Sequence, residues 1–220
     1  MVVFITDYFL AARNSKKREE EQGKMMVDAM KATGMVDYAV FISVADVDIM
    51  AKRPAVKHCH AKLDIERYFL ASGVKGSILR PCAFMENWDD PANYNPLQQG
   101  SLKFLTDCPT FMIATLDIGK AAAAIFKDQA KWNGKALTCV GWKGDLNEAG
   151  AAWEKVSGVK TKASLAMPKF FRSCFLGDLH AMCLVFEEGY IGTSCDIDAF
   201  KAVVPDALDA EGWFRWHTAA

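Results

Sequence analysis

The sequence lacks several features that would point to common classes of function. Its net charge of −1 gives no long-range attraction to nucleic acid or to an acidic membrane surface. No uninterrupted apolar run approaches the ~18 residues of a membrane span. The seven cysteines are scattered without C-x-x-C spacing, which indicates reduced thiols rather than a disulfide framework or a zinc site. We therefore expect a cytoplasmic protein, with a nuclear location left open.

A glycine-rich phosphate-binding turn is also missing. In parallel α/β sheets, the pyrophosphate of a dinucleotide rests on such a turn, where the unpaired N–H groups of a helix N-terminus meet the negative charge. Neither G-x-G-x-x-G nor a relaxed G-x-x-G-x-x-G follows a predicted strand, and Gly73 and Gly76 lie between a helix and a strand. The residues alone therefore provide no phosphate cradle.

What is present is an alternation of short apolar runs and helical patterns. The runs at residues 2–5, 37–43 and 76–81 predict strands, and the amphipathic segments between them predict helices that end at Gly34 and Gly73. Strands and helices alternating at these lengths predict right-handed βαβ units and a parallel sheet. With 220 residues and 51% hydrophobic content, the chain can bury one large core.

The later part of the chain is less regular. We expect a helix over 117–126, a strand over 135–141, a helix over 146–158, a helical stretch over 170–188 and an amphipathic "AEGWFRWH" near the end. The predicted fold is a single α/β domain with a Rossmann-like parallel sheet and flanking helices. Residues 1–90 form its partial core, and residues 91–220 form a smaller α+β cap that returns strands to the main sheet.

Three segments follow the predicted strands: residues 6–9, 43–44 and 80–87. Ligands of open parallel sheets bind beyond the carboxyl ends of the strands. We therefore expect these segments to meet at one rim and to line a ligand site.

Several quoted stretches resemble one known family. "VVFITDYF", "VFISV", "HCHAKLDIERYFLASG" and "ILRPCAFMENW" occur in an order and spacing similar to the NmrA-like family of atypical short-chain dehydrogenase/reductases. The resemblance extends through "TLDIGKAAAAIFKDQAKWNGKALTCVG" to the terminal "AEGWFRWH". Family members begin earlier, with a glycine-rich region that binds NADP. The resemblance implies that this sequence starts at the family's fourth strand, with roughly 60–80 residues absent at about 30 per βαβ unit.

The resemblance also implies a cofactor site for NADP or NAD, weakened or lost with the glycine-rich loop. Lys62 matches the family lysine that reaches the nicotinamide ribose, and "FMEN" matches the stretch that lines the nicotinamide end. The residues after the first strand match a further contact. The predicted cofactor-binding residues are Thr6, Phe9, Leu10, Ala11, Lys62, Phe84, Met85, Glu86 and Asn87.

Plainer structural roles compete with these assignments. Lys62 has the i, i+4 spacing for a surface ion pair with Glu66. The charge block "KKREEE" (16–21) is expected to form the solvated start of a helix. Ser43 ends a strand at a position that the resemblance matches to the superfamily's catalytic serine, and a role in satisfying local backbone groups is the alternative. Cys82 has either a redox role or the inert role of a buried thiol.

The histidines near Lys62 bear on catalysis. His58 stands where the wider superfamily has a catalytic tyrosine, and the missing phenol argues against ordinary reductase chemistry, so no catalytic residue is predicted. His58 and His60 alternate as metal ligands would, but no further ligands have suitable spacing. A loop histidine that packs or hydrogen-bonds is the favoured interpretation.

Three functions follow. The first is an NAD(P)-linked regulatory or redox-sensor protein that binds a dinucleotide without turnover and has a regulatory protein as partner. The second is an NAD(P)H-dependent reductase of the isoflavone-reductase type, with Lys62 in the acid–base role. The third is an inactive truncated product that self-associates through the exposed first strand, residues 1–6, because an unpaired apolar strand edge invites pairing.

Overall fold

The computed structural model describes residues 1–89, 97, 101–189 and 192–219. Its strands are β1 (Val2–Ile5), β2 (Ala39–Ile42), β3 (Gly76–Pro81), β4 (Ala83–Phe84), β5 (Ser101–Phe104), β6 (Thr110–Ile113), β7 (Ala136–Cys139), β8 (Trp142–Gly144) and β9 (Lys162–Leu165). Its helices are α1 (Lys16–Thr33), α2 (Val47–Met50), α3 (Lys57–Ala71), α4 (Thr115–Lys127), α5 (Gln129–Trp132), α6 (Leu146–Ser157), α7 (Lys169–Phe175), α8 (Gly177–Glu187), α9 (Ile197–Lys201) and α10 (Ala210–Ala219). A 3₁₀ helix covers Met85–Asp89.

The main sheet has four parallel strands in the order β1-β2-β3-β7. Phe4, Phe41, Ile78 and Ala136 form one row across it. This confirms the parallel sheet predicted from the alternating runs. The return of β7 shows that the second part of the chain contributes to the same sheet, whereas the division into core and cap stays a prediction. Smaller sheets of β4-β6-β8 and β5-β9 complete the strands described.

Helices cover both faces of the main sheet. On one face, α1 and α3 pack over Phe4 and Phe41, whose rings stack at 4.8 Å, and Phe69 of α3 meets Phe4 edge-on at 5.3 Å. On the other face, α4 and α9 bury Ile125 and Phe200. This layering removes the apolar residues of β2 and β3 from water and leaves the carboxyl ends of the strands accessible at one rim.

The helix ends follow the predicted signals in part. Gly34 ends α1 in the left-handed conformation (φ 61°) as expected, and Ser15 caps its start by accepting a hydrogen bond from Arg18 N at 3.3 Å. The helical stretch predicted over 170–188 is found as two helices, because the backbone leaves the helical region at Leu176 and separates α7 from α8. Within the described ranges, none of the helices has the length and apolar content needed to cross a bilayer.

A second apolar cluster lies beside the sheet β4-β6-β8. Trp88 stacks on Phe214 at 5.1 Å and meets Trp213 edge-on at 5.6 Å. Both partners belong to α10, so the terminal "AEGWFRWH" segment is the amphipathic helix that the sequence predicts.

Strand β1 lies at an edge of the main sheet. It pairs with β2, and among the described residues no strand pairs with its other side. Val3 and Ile5 are 47% and 56% exposed and line an open groove of about 490 Å³ with Ile118 of α4. Self-association through residues 1–6 stays a prediction.

Candidate functional site at the strand rim

A cavity of about 670 Å³ opens at the carboxyl ends of the strands. Its walls come from the loops after β1, β2 and β3, from the first turn of α3, from β5 and β6, from α8 and from the loop before α9. These walls include Asp7, Phe9, Leu10, Ser43, Asp46, His58, Cys82, Phe84, Asn87, Met182, Cys183, Phe186 and Cys195. We call it the rim cavity. The predicted meeting of the three strand-end segments at one rim is confirmed.

Four of the predicted cofactor-binding residues line the rim cavity: Phe9, Leu10, Phe84 and Asn87. The loop that carries Phe9 and Leu10 is shaped by Asp7, whose Oδ1 accepts hydrogen bonds from their backbone N atoms at 2.9 and 3.0 Å. This Asx turn directs the chain after β1 over the mouth of the cavity.

Lys62 and Thr6 lie outside the cavity walls, in a buried network with Glu19. Lys62 is 8% exposed, and its Nζ donates to Thr6 O, to Thr6 Oγ1 at 2.8 Å and to Glu19 Oε1 at 3.0 Å. Burial lowers the pKa of Lys62, and the negative charge of Glu19 acts against that shift. The predicted surface pair with Glu66 is wrong, since Glu66 is 1% exposed and binds Arg80 through two hydrogen bonds of 3.0 and 2.5 Å.

The position of Glu19 differs from the solvated one expected from the sequence. It belongs to the charge block 16–21, predicted as the solvated start of a helix, yet it is 0% exposed. Its Oε1 accepts from Thr6 Oγ1 at 2.8 Å. The partner that makes its burial tolerable is the Lys62 ammonium on a different helix.

The remaining predicted residues, Met85, Ala11 and Glu86, lie outside the walls of the rim cavity. Met85 is fully buried in the second apolar cluster, and Ala11 is exposed beside the loop after β1. Glu86 Oε1 accepts from Thr115 N and Oγ1, at 3.0 and 2.7 Å, and from Trp213 Nε1 at 3.2 Å. These three residues do not line the rim cavity.

His58 lines the rim cavity from the first turn of α3. The prediction of a loop histidine is wrong, because α3 already begins at Lys57. Its Nδ1 hydrogen-bonds Asp178 Oδ1, and Asp178 Oδ2 accepts from Lys57 N at 2.6 Å. The ring lies 6.0 Å from Tyr8 and 5.7 Å from Phe9. The Asp178 carboxylate thus both caps the start of α3 and orients the imidazole of His58.

The pairing leaves one imidazole nitrogen for other chemistry. The Asp178 carboxylate can only accept a hydrogen bond, so Nδ1 of His58 carries the hydrogen. Nε2 has no hydrogen-bond partner among the described residues and can exchange a proton with a ligand. His60 instead bonds Arg53 O through Nε2 at 3.1 Å. Among the described residues no group of three His, Cys, Asp or Glu side chains could hold a metal ion.

Ser43 and Asp46 add polar groups to the same walls. Ser43 is 5% exposed, and its hydroxyl, expected to satisfy local backbone groups, has no hydrogen-bond partner among the described residues. Asp46, in the left-handed conformation (φ 49°), accepts from Gly192 N at 2.6 Å and from Ser194 Oγ at 2.8 Å. It thereby holds a distant loop against the cavity.

The charges suit one end of a dinucleotide and not the other. Aromatic and aliphatic walls with a few polar groups fit a nicotinamide ring. The described lining residues include Asp7 and Asp46 but no Lys or Arg, so a pyrophosphate meets neither a cation nor a glycine-rich turn there.

Sequence reasoning missed Asp178, Asp46 and Cys195 as parts of this site. Asp178 and Cys195 reach the rim through contacts that span more than a hundred residues, such as the 120 between His58 and Asp178. Asp46 lies in the loop after β2, but its partner Gly192 is likewise more than a hundred residues away along the chain. No local spacing pattern encodes such a contact.

Comparisons with known proteins identify the family and support the fold. A model of the NmrA-like family matches residues 2–217. The structure is similar to that of NmrA, a negative transcriptional regulator solved with NAD (TM-score 0.72, 20% identity, covering 97% of this chain and 72% of that one). It is also similar to an NADPH-dependent quinone oxidoreductase from Escherichia coli solved with NADPH (0.73, 17%, 99% and 76%) and to a triphenylmethane reductase from Citrobacter sp. (0.75, 12%, 99% and 76%). At these identities the solved structures support the fold.

Proposed function

This chain belongs to the NmrA-like family, and on that premise we propose that it is a regulatory or redox-sensing member that binds the nicotinamide end of NAD or NADP without turning it over. A regulatory protein is the partner to which such a sensor would report. The observation that carries the proposal is the burial of the Lys62 ammonium against Thr6 and Glu19, away from the rim cavity.

Two observations support binding without turnover, one on the cavity walls and one on Lys62. Phe9, Leu10 and Phe84 provide an apolar surface for a planar ring, and the Ser43 hydroxyl is available to a polar substituent of that ring. The lysine that the resemblance assigns to the nicotinamide ribose is engaged by Glu19 at 3.0 Å. The cavity can therefore bind a nicotinamide ring, but the Lys62 ammonium does not reach the cavity to contact it.

Titration calorimetry with reduced nicotinamide mononucleotide and with NADPH tests this function. We expect the two dissociation constants to agree within about threefold, because the lining residues offer no cation to the additional phosphates. Phe84→Ala is expected to weaken binding of both ligands about tenfold through loss of ring contact. Phe170→Ala, which truncates a 72% exposed phenylalanine outside the cavity walls, is the matched control and should bind normally.

Two results would contradict the proposal. One is the absence of both heat and a thermal shift at millimolar cofactor. The other is binding of NADPH more than about a hundredfold tighter than the mononucleotide, which would require a phosphate site that the described cavity walls do not contain.

An NAD(P)H-dependent reductase is the second candidate, favoured by the His58–Asp178 pair. A bound nicotinamide supplies a hydride, and His58 would hold the accompanying proton for an enone or quinone substrate while Asp178 fixes the tautomer. In this reaction His58 takes the acid–base role that the resemblance gives to Lys62, since His58 lines the cavity.

Loss of NADPH absorbance with a quinone or enone as acceptor tests the reductase. His58→Asn is expected to lower kcat by about 10²–10⁴, the range for a general acid. His60→Asn, on the same helix but bonded to Arg53 O outside the cavity walls, should retain activity. Full activity in His58→Asn would show that the imidazole is not the proton donor.

A further inference from the structure

Two cysteine sulfurs face each other in the wall of the rim cavity. The Sγ atoms of Cys82 and Cys195 lie 3.3 Å apart, both residues line the cavity, and neither is in a disulfide. We propose that Cys82 and Cys195 form a reversible thiol–disulfide site that a hydroperoxide oxidises. This proposal does not depend on nicotinamide binding.

The two thiols are held in place from opposite sides. Cys82 directly follows β3, and its backbone N donates to Cys139 O at 3.1 Å, which fixes it to the sheet. Cys195 N donates to Gly192 O at 3.2 Å, in the loop that Asp46 anchors through Gly192 N. A disulfide requires an S–S separation of about 2 Å, so closure needs a relative shift of about 1 Å.

Access and ionisation give the two thiols different parts in the reaction. Cys195 is half-buried, whereas Cys82 is 9% exposed. The hydrogen bond with Cys195, then burial and the charge of Asp46, raise the pKa of Cys82 well above its usual range, so Cys82 is a neutral thiol at pH 7. Cys195 is therefore the thiol that meets the oxidant first.

The chemistry proceeds in two balanced steps. The Cys195 thiol gives its proton to solvent and its sulfur attacks the terminal oxygen of the hydroperoxide. The O–O bond breaks, the leaving oxygen takes up one proton from solvent and departs as water or an alcohol, and a sulfenic acid remains on Cys195. The Cys82 sulfur then attacks the Cys195 sulfur, the S–S bond forms, and the sulfenic hydroxyl leaves as water with the thiol proton of Cys82. The two thiols together give up two electrons, which reduce the hydroperoxide.

Oxidation would change one wall of the rim cavity. The bond joins the end of β3 to the loop that Asp46 holds, so the position of that loop becomes covalently fixed. Reduction by a thiol such as dithiothreitol returns the two free sulfurs.

Mass spectrometry of the folded full-length protein tests the site. After treatment with hydrogen peroxide and alkylation of the remaining thiols, we expect the alkylated count to fall from the seven cysteines of the sequence to about five, as for one two-thiol oxidation. Digestion with trypsin and chymotrypsin should yield a cross-linked pair of peptides containing Cys82 and Cys195, lost on reduction. Chymotryptic cleavage after Phe186 separates Cys195 from Cys183.

Matched variants complete the experiment. Cys195→Ser and Cys82→Ser should each abolish the cross-link, whereas Cys174→Ser, which changes an exposed thiol, should leave it intact. Repetition in urea should replace the single cross-link by mixed pairings, because the 3.3 Å contact exists only in the folded chain. The proposal is overturned if peroxide converts Cys174 to higher oxides in the folded protein while Cys82 and Cys195 remain alkylatable and unlinked.

Discussion

Replacing Lys62 by methionine is expected to lower the free energy of unfolding by about 3–5 kcal/mol. Lys62→Met removes the cation that faces Glu19 Oε1 at 3.0 Å and leaves a fully buried carboxylate, whose Oε2 already has no hydrogen-bond partner among the described residues. Thr6 also loses the donor to its hydroxyl. Urea unfolding followed by circular dichroism measures the change.

The double variant Lys62→Met/Glu19→Gln separates the charge from the packing. Removing both charges should restore much of the lost stability, since no uncompensated carboxylate remains. Lys17→Met, which breaks the solvent-exposed pair with Glu21 on the same helix as Glu19, is the surface control and should leave the unfolding midpoint almost unchanged. If Lys62→Met behaves like this control, the buried network is not what holds Lys62 away from the cavity.

Truncation of Trp213 is the second change with a large expected effect. Trp213 is 0% exposed, lies edge-on to Trp88 at 5.6 Å, stacks on His217 at 4.6 Å and donates from Nε1 to Glu86 Oε1 at 3.2 Å. Trp213→Ala should therefore cost about 3–5 kcal/mol through the lost burial and the cavity that remains. In urea unfolding, we expect a lower midpoint and an unchanged dependence of the unfolding free energy on urea concentration.

Two further substitutions on α10 sharpen the test. Trp216→Ala removes a tryptophan that is 41% exposed on the same helix and should cost far less. Trp213→Phe keeps a buried ring but loses the hydrogen bond to Glu86, with an expected cost of about 1–2 kcal/mol. Equal losses for Trp213→Ala and Trp216→Ala would mean that the cluster contributes little to stability.

The main sheet could be predicted because its signals are local. The run at 76–81 coincides with β3, and Gly34 ends α1 where its freedom to adopt a positive φ is needed. The run at 2–5 likewise coincides with β1, whereas the strands predicted over 37–43 and 135–141 are found with shorter bounds as β2 and β7. Apolar content and turn residues act over a few positions, so they are visible in the sequence.

The candidate site was predictable in position but not in detail. Topology places Phe9 and Phe84 at one rim, and both line the cavity. The same reasoning cannot show that Glu19, one carboxylate in a block of charges, turns inward to meet Lys62. Ion pairs between helices depend on how the helices rotate against each other, which packing decides only after the whole core has formed.

The bond between His58 and Asp178 also has a consequence for the order in which the protein matures. During synthesis His58 leaves the ribosome 120 residues before the carboxylate that orients it. Because domains are completed as the chain emerges, the nascent polypeptide holds the first three strands of the main sheet long before the imidazole is aligned. The rim cavity is thus completed late in translation, when the segment around α8 is released.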